Sequence, residues 1–311
     1  MKTEEASKKI EFKQIRPEDR ETFLRYCNDG FERGCEFSFA NLYLWGRQSF
    51  ALVDGNILLF SQFNRRSVYP FPIGSADKKG AIDAIIEDSR ERGISCRITG
   101  LSPRAKELLE ELYPGSFSFH GDEGSFDYVY SIDDLADLSG KKYHGKRNHI
   151  YRFEEEHPDA VAVPITATNS AEVRDMAERW FEERLLENPN SDFQMERIAI
   201  DKALRDIEAL GMVGLALVSE GEILAFTLAS RMSDDTFDVH FEKARADVAG
   251  AYPAINRALA RYIRETYPDV KYLNREEDMG LDGLRRAKRS YHPHHMVEKY
   301  WAHLMEDGYE Y

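Results

Sequence analysis

The sequence has little cysteine and no long apolar run. Its three cysteines, Cys27, Cys35 and Cys96, are odd in number and widely separated, so neither a disulfide framework nor a structural zinc site is expected. This cysteine usage predicts a reducing compartment, the cytoplasm. The first residues lack the apolar core of a signal peptide, and no stretch of roughly 18 apolar residues could span a bilayer. Membrane insertion is therefore not expected.

Basic residues are outnumbered by acidic ones, 42 against 56. The 311 residues carry a formal net charge of -14, which disfavours binding of DNA or of an anionic membrane through the overall field. Two segments depart from this balance, because Ser139–Phe153 and Gly283–Val297 contain no Asp or Glu. Like charges at helical spacing repel, so a shared anionic ligand is one interpretation and two solvated helix faces are the other. The cations of the predicted anion pocket are Lys142, Lys146, Arg147, Arg285 and Arg289.

The residue pattern predicts an α+β protein with two domains. Hydrophobic residues make up 42% of the chain, enough for a sizeable core in each half. In the first half, helices are predicted at 18–28, 78–92 and 102–112, and strands at 50–53, 57–61, 67–71, 95–99 and 127–131. In the second half, helices are predicted at 141–156, 170–186, 196–210, 253–265 and 281–291, and strands at 160–164, 214–219, 223–231, 236–242, 271–273 and 296–303. We expect the domains to span 1–133 and 134–311.

Three segments resemble a family of bacterial proteins related to the C-terminal domain of phosphatidylglycerol lysyltransferases. They are FSFANLYLW (Phe37–Trp45), DLADLSGKKYHGKRNHIYRF (Asp134–Phe153) and LNREEDMGLDGLRRAKRSYHP (Leu273–Pro293). The resemblance implies two tandem GNAT-like (acyl-CoA N-acyltransferase) domains with mixed, mainly antiparallel sheets flanked by helices. It also implies a likeness to the Fem-type peptidyltransferases, which take an aminoacyl group from tRNA. The chain shows no counterpart of the membrane half of the lysyltransferases, so a lipid acceptor is not implied.

The GNAT resemblance places a coenzyme A phosphate site where the strand at 236–242 turns into a helix. Backbone N–H groups at a helix N-terminus bind phosphate, and Arg245, Gly250 and Ala251 would form this cradle. Asp247 would add a negative charge beside the phosphates. The alternative is an ordinary strand-to-helix connection in which Pro253 opens the helix.

The strand before that loop supplies candidate acid–base residues. With a period of two, Asp238, His240 and Glu242 would share one face of the strand. Acyl transfer to an amine needs a proton acceptor and a proton donor, and histidine and carboxylates serve both roles. The alternative is a half-buried edge with a solvated polar face.

Substrate contacts are expected just after the strand at 271–273, because ligands gather at the carboxyl ends of strands in open sheets. Asn274 and Glu276 would orient the acceptor, and Tyr291 would lie near the floor of the cleft. We expect no metal at His292 and His294, since a site needs a third and fourth ligand.

Together these features predict transfer of an acyl or aminoacyl group to an amine or hydroxyl. The donor would be either acyl-CoA, the one cofactor implied, or aminoacyl-tRNA. The alternative is a non-catalytic, degenerate GNAT pair that binds a phosphorylated small molecule or an RNA end.

Overall fold

A computed structural model describes residues 9–63, 66–189 and 193–305. These residues form two compact units. One contains the described chain up to Phe126 together with the residues from Val297 onward, and the other is Asp127–Met296. The boundary thus falls before 133, and the C-terminal segment belongs to the first unit rather than to the second. No helix within the described ranges combines the length and apolar character needed to cross a membrane.

Over its described residues, the first unit is a seven-stranded sheet with four α-helices. Its elements are β1 (Lys13–Gln14), α1 (Arg20–Tyr26), α2 (Phe39–Trp45), β2 (Gln48–Val53), β3 (Asn56–Phe63), β4 (Arg66–Pro70), α3 (Lys78–Arg92), β5 (Arg97–Leu101), α4 (Pro103–Leu112), β6 (Phe117–Gly121) and, from the C-terminus, β14 (Tyr300–Leu304). The strand order is β1-β2-β3-β4-β5-β14-β6. Only β4 and β5 pair in parallel; the other neighbours are antiparallel.

The second unit repeats this plan. Its elements are β7 (Asp127–Ser131), α5 (Ile132–Asp137), α6 (His144–Glu156), β8 (Val161–Pro164), α7 (Ser170–Glu187), α8 (Gln194–Arg205), β9 (Met212–Ser219), β10 (Glu222–Arg231), β11 (Thr236–Ala244), α9 (Ala251–Thr266), β12 (Tyr272–Asn274), α10 (Asp282–Arg289) and β13 (His295–Val297). The order is β13-β7-β12-β11-β10-β9-β8. β11 and β12 pair in parallel.

The two sheets are topologically equivalent. Each has four antiparallel strands, then one parallel pair, then an antiparallel strand brought from a distant part of the sequence. The predicted strands 57–61 and 223–231 lie in β3 and β10, which are third from the corresponding edges. The expected α+β fold, with two tandem domains of the same plan and mixed, mainly antiparallel sheets flanked by helices, is confirmed.

Helix α9 packs the core of the second unit against its sheet. Its buried residues recur at intervals of three and four and include Ile255, Leu259 and Ile263, all fully buried. Each such side chain contributes roughly 1.5–3 kcal/mol when removed from water. One polar residue, Asn256, lies on the same buried stripe.

Several elements differ from the prediction. The strand expected at 296–303 is two strands, β13 and β14, which belong to different sheets. The helix expected at 196–210 ends at Arg205 and continues as turns. Helices α2 and α5 and strand β6 were not predicted, because each is short and lacks a strong period.

Candidate functional site

The candidate site lies beyond the last paired residues of β11 and β12, and this gap in the pairing is called the opening. The two strands pair at Thr236–Tyr272, Phe237–Leu273 and Asp238–Asn274, and then the pairing stops. β11 nevertheless continues to Ala244. Because the strands are parallel, the opening lies at their carboxyl ends, where ligands bind in open sheets.

A β-bulge at His240 controls which side chains face each side of the sheet. In the pairing of β10 with β11, Leu228 is opposite Phe241 and Ala229 is opposite Val239. His240 is therefore the extra residue. A bulge interrupts the alternation of a strand and re-aims the side chains that follow it.

The bulge separates the three predicted acid–base residues. Glu242 accepts a hydrogen bond from Asn256 of α9, on the side of the sheet where Phe237 and Val239 pack with that helix. His240 instead contacts Ser230 of β10 and lies next to Asp238. The prediction that all three share one face is wrong for Glu242, because strict alternation does not survive the extra residue.

Asp238, His240 and Glu276 form the first polar cluster. His240 Nδ1 lies 3.4 Å from Asp238 Oδ2 and 3.5 Å from Glu276 Oε1, and Nε2 lies 2.8 Å from Ser230 Oγ. Asp238 and the His240 ring are almost wholly buried, whereas the Glu276 side chain is 22% exposed. Burial opposes protonation of His240, but the two carboxylates outweigh it and raise its pKa.

Glu276 is held in place by its neighbours. Its φ of 57° is left-handed, a conformation that costs a non-glycine residue roughly 1–3 kcal/mol. The Glu276 N–H donates to Asn274 Oδ1 at 2.7 Å, and its carbonyl accepts from Tyr128 N at 3.1 Å. Asn274 in turn donates to Asp127 Oδ2 at 2.9 Å, and both residues are buried. This chain of contacts fixes the Glu276 backbone, and the side chain then lies with Oε1 3.5 Å from His240 Nδ1.

Glu242 and Arg275 form the second cluster, on the α9 side of the opening. Arg275 Nη2 donates to Glu242 Oε1 at 2.8 Å, and Asn256 Nδ2 donates to Glu242 Oε2 at 3.1 Å. Within the part of the chain that the structure describes, three buried polar atoms near this pair have no hydrogen-bond partner: Arg275 Nη1, Asn256 Oδ1 and Thr227 Oγ1. Thr227 is the cross-strand neighbour of Glu242. Buried polar atoms are normally paired, so these three indicate a place for a polar ligand or water.

Lys146 and Tyr291 lie next to Arg275 on the α9 side of the opening. Lys146 Nζ lies 3.8 Å from the centre of the Tyr291 ring, and Arg275 Cζ lies 4.9 Å from the same centre. Burial and the nearby Arg275 charge lower the pKa of Lys146 to about 8, against a smaller opposing effect of Glu242. Tyr143 donates to the Tyr291 carbonyl at 2.9 Å, so the two basic segments meet here.

The other predicted cations are engaged by their own chain. Arg147 donates to the carbonyls of Leu138 and Gly140. Lys142 pairs with Asp134 at 3.0 Å, and Arg285 binds Asp278 through two nitrogens at 2.8 and 3.1 Å. Burial raises the pKa of the Tyr128 hydroxyl, and the nearby Arg289 charge opposes that rise. Of the five cations of the predicted anion pocket, all of which lie in the described ranges, the structure brings only Lys146 to the opening.

The residues of the predicted coenzyme A loop, Arg245, Gly250 and Ala251, also contact other parts of their own chain. Arg245 pairs with Glu222 and, at 2.8 Å, with Asp247. Gly250 has a φ of 83°, and a Cβ there would lie 2.3 Å from the His149 carbonyl of α6. Ala251, the first residue of α9, is fully buried. The glycine thus permits close packing of α6.

Sequence reasoning missed Arg275, Asn256 and Ser230. Asn256 had a usable signal, since it is a polar residue on the apolar stripe of α9. Arg275 lies between the predicted residues Asn274 and Glu276 in sequence. Its side chain contacts Glu242, whereas the Asn274 side chain points the other way, to Asp127. No pattern in the sequence marked Ser230.

The comparisons with known proteins agree with this fold. Residues 31–303 match the family described as phosphatidylglycerol lysyltransferase, C-terminal. A conserved protein of unknown function from Bacteroides thetaiotaomicron is 36% identical, with a TM-score of 0.90 over 95% of this chain and 100% of that one. The structure of L-PGS from Bacillus licheniformis gives 19% identity and a TM-score of 0.70 over 94% and 93% of the two chains.

Two further similarities are more distant. The crystal structure of FemX has a TM-score of 0.62 and 11% identity over 95% of this chain and 98% of that one. An uncharacterised protein from Mycoplasmoides gallisepticum, MYCGA3080, is 22% identical over 57% of this chain, and the match spans only 56% of that protein's length. The chain belongs to the family of the C-terminal domain of phosphatidylglycerol lysyltransferases.

Proposed function

We propose that this protein transfers an aminoacyl group from aminoacyl-tRNA to a hydroxyl or amine acceptor at the opening between β11 and β12. The observation that carries the proposal is the arrangement on the α9 side. There Arg275, fixed by Glu242, keeps one buried N–H free, and Lys146 with a lowered pKa lies on the same tyrosine ring.

These groups suit the steps of aminoacyl transfer. The acceptor oxygen or nitrogen attacks the ester carbonyl carbon while neutral Lys146 takes its proton. The free N–H of Arg275 stabilises the negative charge that develops on the carbonyl oxygen. When the bond to the ribose oxygen breaks, protonated Lys146 returns the proton to that oxygen. A base whose pKa lies near the working pH can perform both transfers.

Glu242 has a positioning role in this proposal. It was predicted as an acid–base residue, but its two oxygens already accept from Arg275 and Asn256. A carboxylate held in this way orients the guanidinium and balances its buried charge. The free Asn256 oxygen and the Thr227 hydroxyl are suited to bind the amino group of the donor.

The contacts of the 245–251 loop favour tRNA over coenzyme A as the donor. A coenzyme A cradle needs backbone N–H groups that are open to the phosphates at the start of the helix. Here Arg245 is neutralised by two carboxylates, and Gly250 is packed against α6. The family description, a lysyltransferase, agrees with an aminoacyl donor.

A binding experiment tests the donor. The full chain is titrated with aminoacyl-tRNA, uncharged tRNA and acetyl-CoA, and the melting temperature is recorded for each. We expect aminoacyl-tRNA to stabilise the protein most, since a ligand at 100 times its dissociation constant adds about 2.7 kcal/mol.

Variants make this experiment specific. Arg275→Met removes the proposed contact with the ester carbonyl and should abolish the difference between charged and uncharged tRNA. Arg245→Met, which removes the cation of the loop, should leave that difference unchanged. Stabilisation by acetyl-CoA that is lost in Arg245→Met would instead identify coenzyme A as the donor.

A further inference from the structure

The first polar cluster, formed by Asp238, His240 and Glu276, takes no part in the proposed transfer step. Its geometry indicates a separate binding site. Asp238, His240 and Glu276 each offer one ligand atom, and these three atoms all lie within 4.8 Å of one another. Each atom is a type that binds divalent metals. His240 is more than nine-tenths buried, and among the described residues its Nδ1 has no hydrogen-bond partner.

The distances fit a shared ion better than a shared proton. His240 Nδ1 is 3.4 Å from Asp238 and 3.5 Å from Glu276. A charge-assisted N–H···O bond is shorter, about 2.7–2.9 Å, and one N–H can be aimed at only one carboxylate. Zinc binds nitrogen and carboxylate oxygen at about 2.0–2.2 Å, so two ligands of one tetrahedral ion lie about 3.4 Å apart.

The surrounding contacts resemble an outer shell of a metal site. Ligating histidines usually hydrogen-bond through their other ring nitrogen, which fixes the tautomer. His240 Nε2 does so with Ser230 Oγ at 2.8 Å. Glu276 is fixed through Asn274 and Asp127, as described above. Ser230, Asn274 and Asp127 are all buried.

We propose that Asp238, His240 and Glu276 bind one zinc ion in the second unit. Three protein ligands leave a fourth position for water or substrate, as in zinc sites that take part in reactions. Glu276, with its partly exposed side chain, lies toward the solvent entrance of the site. The ion would also balance the charge of two carboxylates that are costly to bury.

Metal analysis of the purified full chain tests this proposal. The protein is loaded with zinc, passed through a desalting column, and assayed for metal by mass spectrometry. We expect one zinc per chain. Loading with Co²⁺ should give the visible absorption of a tetrahedral site.

Three variants distinguish this site from other histidines. His240→Ala and Glu276→Gln should each lose the ion, and Ser230→Ala should weaken zinc binding roughly 10–100-fold. The double variant His294→Ala/His295→Ala is the matched control, because the Nδ1 atoms of these two rings lie 2.9 Å apart and could hold metal adventitiously. It should bind zinc like the parent protein.

Three results would overturn the proposal. They are a parent protein that retains no zinc, a control variant that loses it, or a folded Glu276→Gln protein that still binds with parental affinity. Circular dichroism in the presence of chelator shows whether each variant is folded. If His240→Ala does not fold, Glu276→Gln decides the outcome, because its side chain is partly exposed.

Discussion

Asp278 shows how a single buried carboxylate organises the segment after β12. Its oxygens accept from Arg285, from the Tyr128 hydroxyl at 2.7 Å and from Gly280 N at 2.8 Å. The side chain bonds to the turn that precedes α10 and to an arginine of that helix. The acid-free character of Gly283–Val297 is thus partly explained by an acid just outside it.

Asp278→Asn should destabilise the protein by roughly 2–3 kcal/mol. The amide cannot accept from all three donors, and Arg285 loses its charged partner. Asp282→Asn is the control, since Asp282 is an exposed residue in the first turn of α10 and should change stability by less than about 0.5 kcal/mol. The free energy of unfolding from urea titrations measures both. Equal effects of the two substitutions would contradict this account of Asp278.

The protonated side chain of Lys146 should lower the free energy of unfolding at neutral pH. The pKa of its ammonium group is about 8 in the folded chain, against the usual lysine value of 10.5. The unfolded chain therefore binds the lysine proton more strongly than the folded chain does. The free energy of unfolding therefore decreases as pH falls from about 10.5 to 8 and stays reduced below. The shift in pKa lowers the free energy of unfolding by up to roughly 3 kcal/mol. The contact of the ammonium group with the Tyr291 ring offsets part of this loss.

Lys146→Met should therefore raise the free energy of unfolding by roughly 1–2 kcal/mol at pH 7 and remove this pH dependence. Lys142→Met is the control, because Lys142 is exposed. Urea titrations at pH 7 and pH 10 provide the measurement. A Lys146→Met protein that is less stable than the parent at pH 7 would show that the lysine is a structural residue.

At the scale of elements, α6 carries Lys146 to the opening and depends on Gly250 for its position. The approach of the His149 carbonyl leaves no room for a side chain at Gly250. The helix is further tied to α9 by the ion pair of Glu154 with Arg257. The position of Lys146 is therefore set by a glycine about a hundred residues away in sequence.

Gly250→Ala should destabilise the protein by more than roughly 2 kcal/mol, since the new Cβ meets a carbonyl and φ is left-handed. Gly145→Ala is the matched control. Gly145 lies in α6 itself with open space around it, so alanine should stabilise the helix by up to about 1 kcal/mol. Thermal unfolding compares the two. A tolerated alanine at 250 would mean that α6 is not packed as described.

Helices and strands with a regular hydrophobic pattern could be predicted from the sequence. Features that depend on how strands pair with one another could not. The stripe of α9 and the long strands β10 and β11 follow from residue patterns, and so does the placement of Asn274 and Glu276 after a buried strand. The bulge at His240 could not be foreseen, because it depends on how β11 aligns with β10. Arg275 was missed for the same reason: its direction is set by the backbone beyond the last paired residue.

At the scale of the molecule, each sheet includes a strand from a distant part of the sequence. β14, from the C-terminus, lies between β5 and β6 in the first unit. β7, which follows β6 in sequence, lies beside β12 in the second. No local pattern in a single sequence specifies such pairing, and this is why a domain boundary at 133 was expected.

This arrangement predicts an asymmetry between fragments. Residues 127–296, expressed alone, contain almost the whole of their sheet and core and should fold cooperatively. Residues 1–126 lack β14, which leaves β5 and β6 without a central strand, and should not fold. Circular dichroism and urea titration of each fragment provide the measurement. A cooperative transition for residues 1–126 would contradict the described strand order.

The most direct test of the central claim is the pH dependence of single-turnover aminoacyl transfer. The full chain is mixed with labelled aminoacyl-tRNA and either a phosphatidylglycerol vesicle or a small amine as acceptor. Because Lys146 must be neutral to accept a proton, the rate should rise with pH and level off above about 8. Lys146→Met should be slower by roughly 100-fold or more, with a flat profile, and Lys142→Met should match the parent. Unchanged transfer by Lys146→Met, or no transfer to either acceptor by a parent protein that binds the donor, would contradict the account.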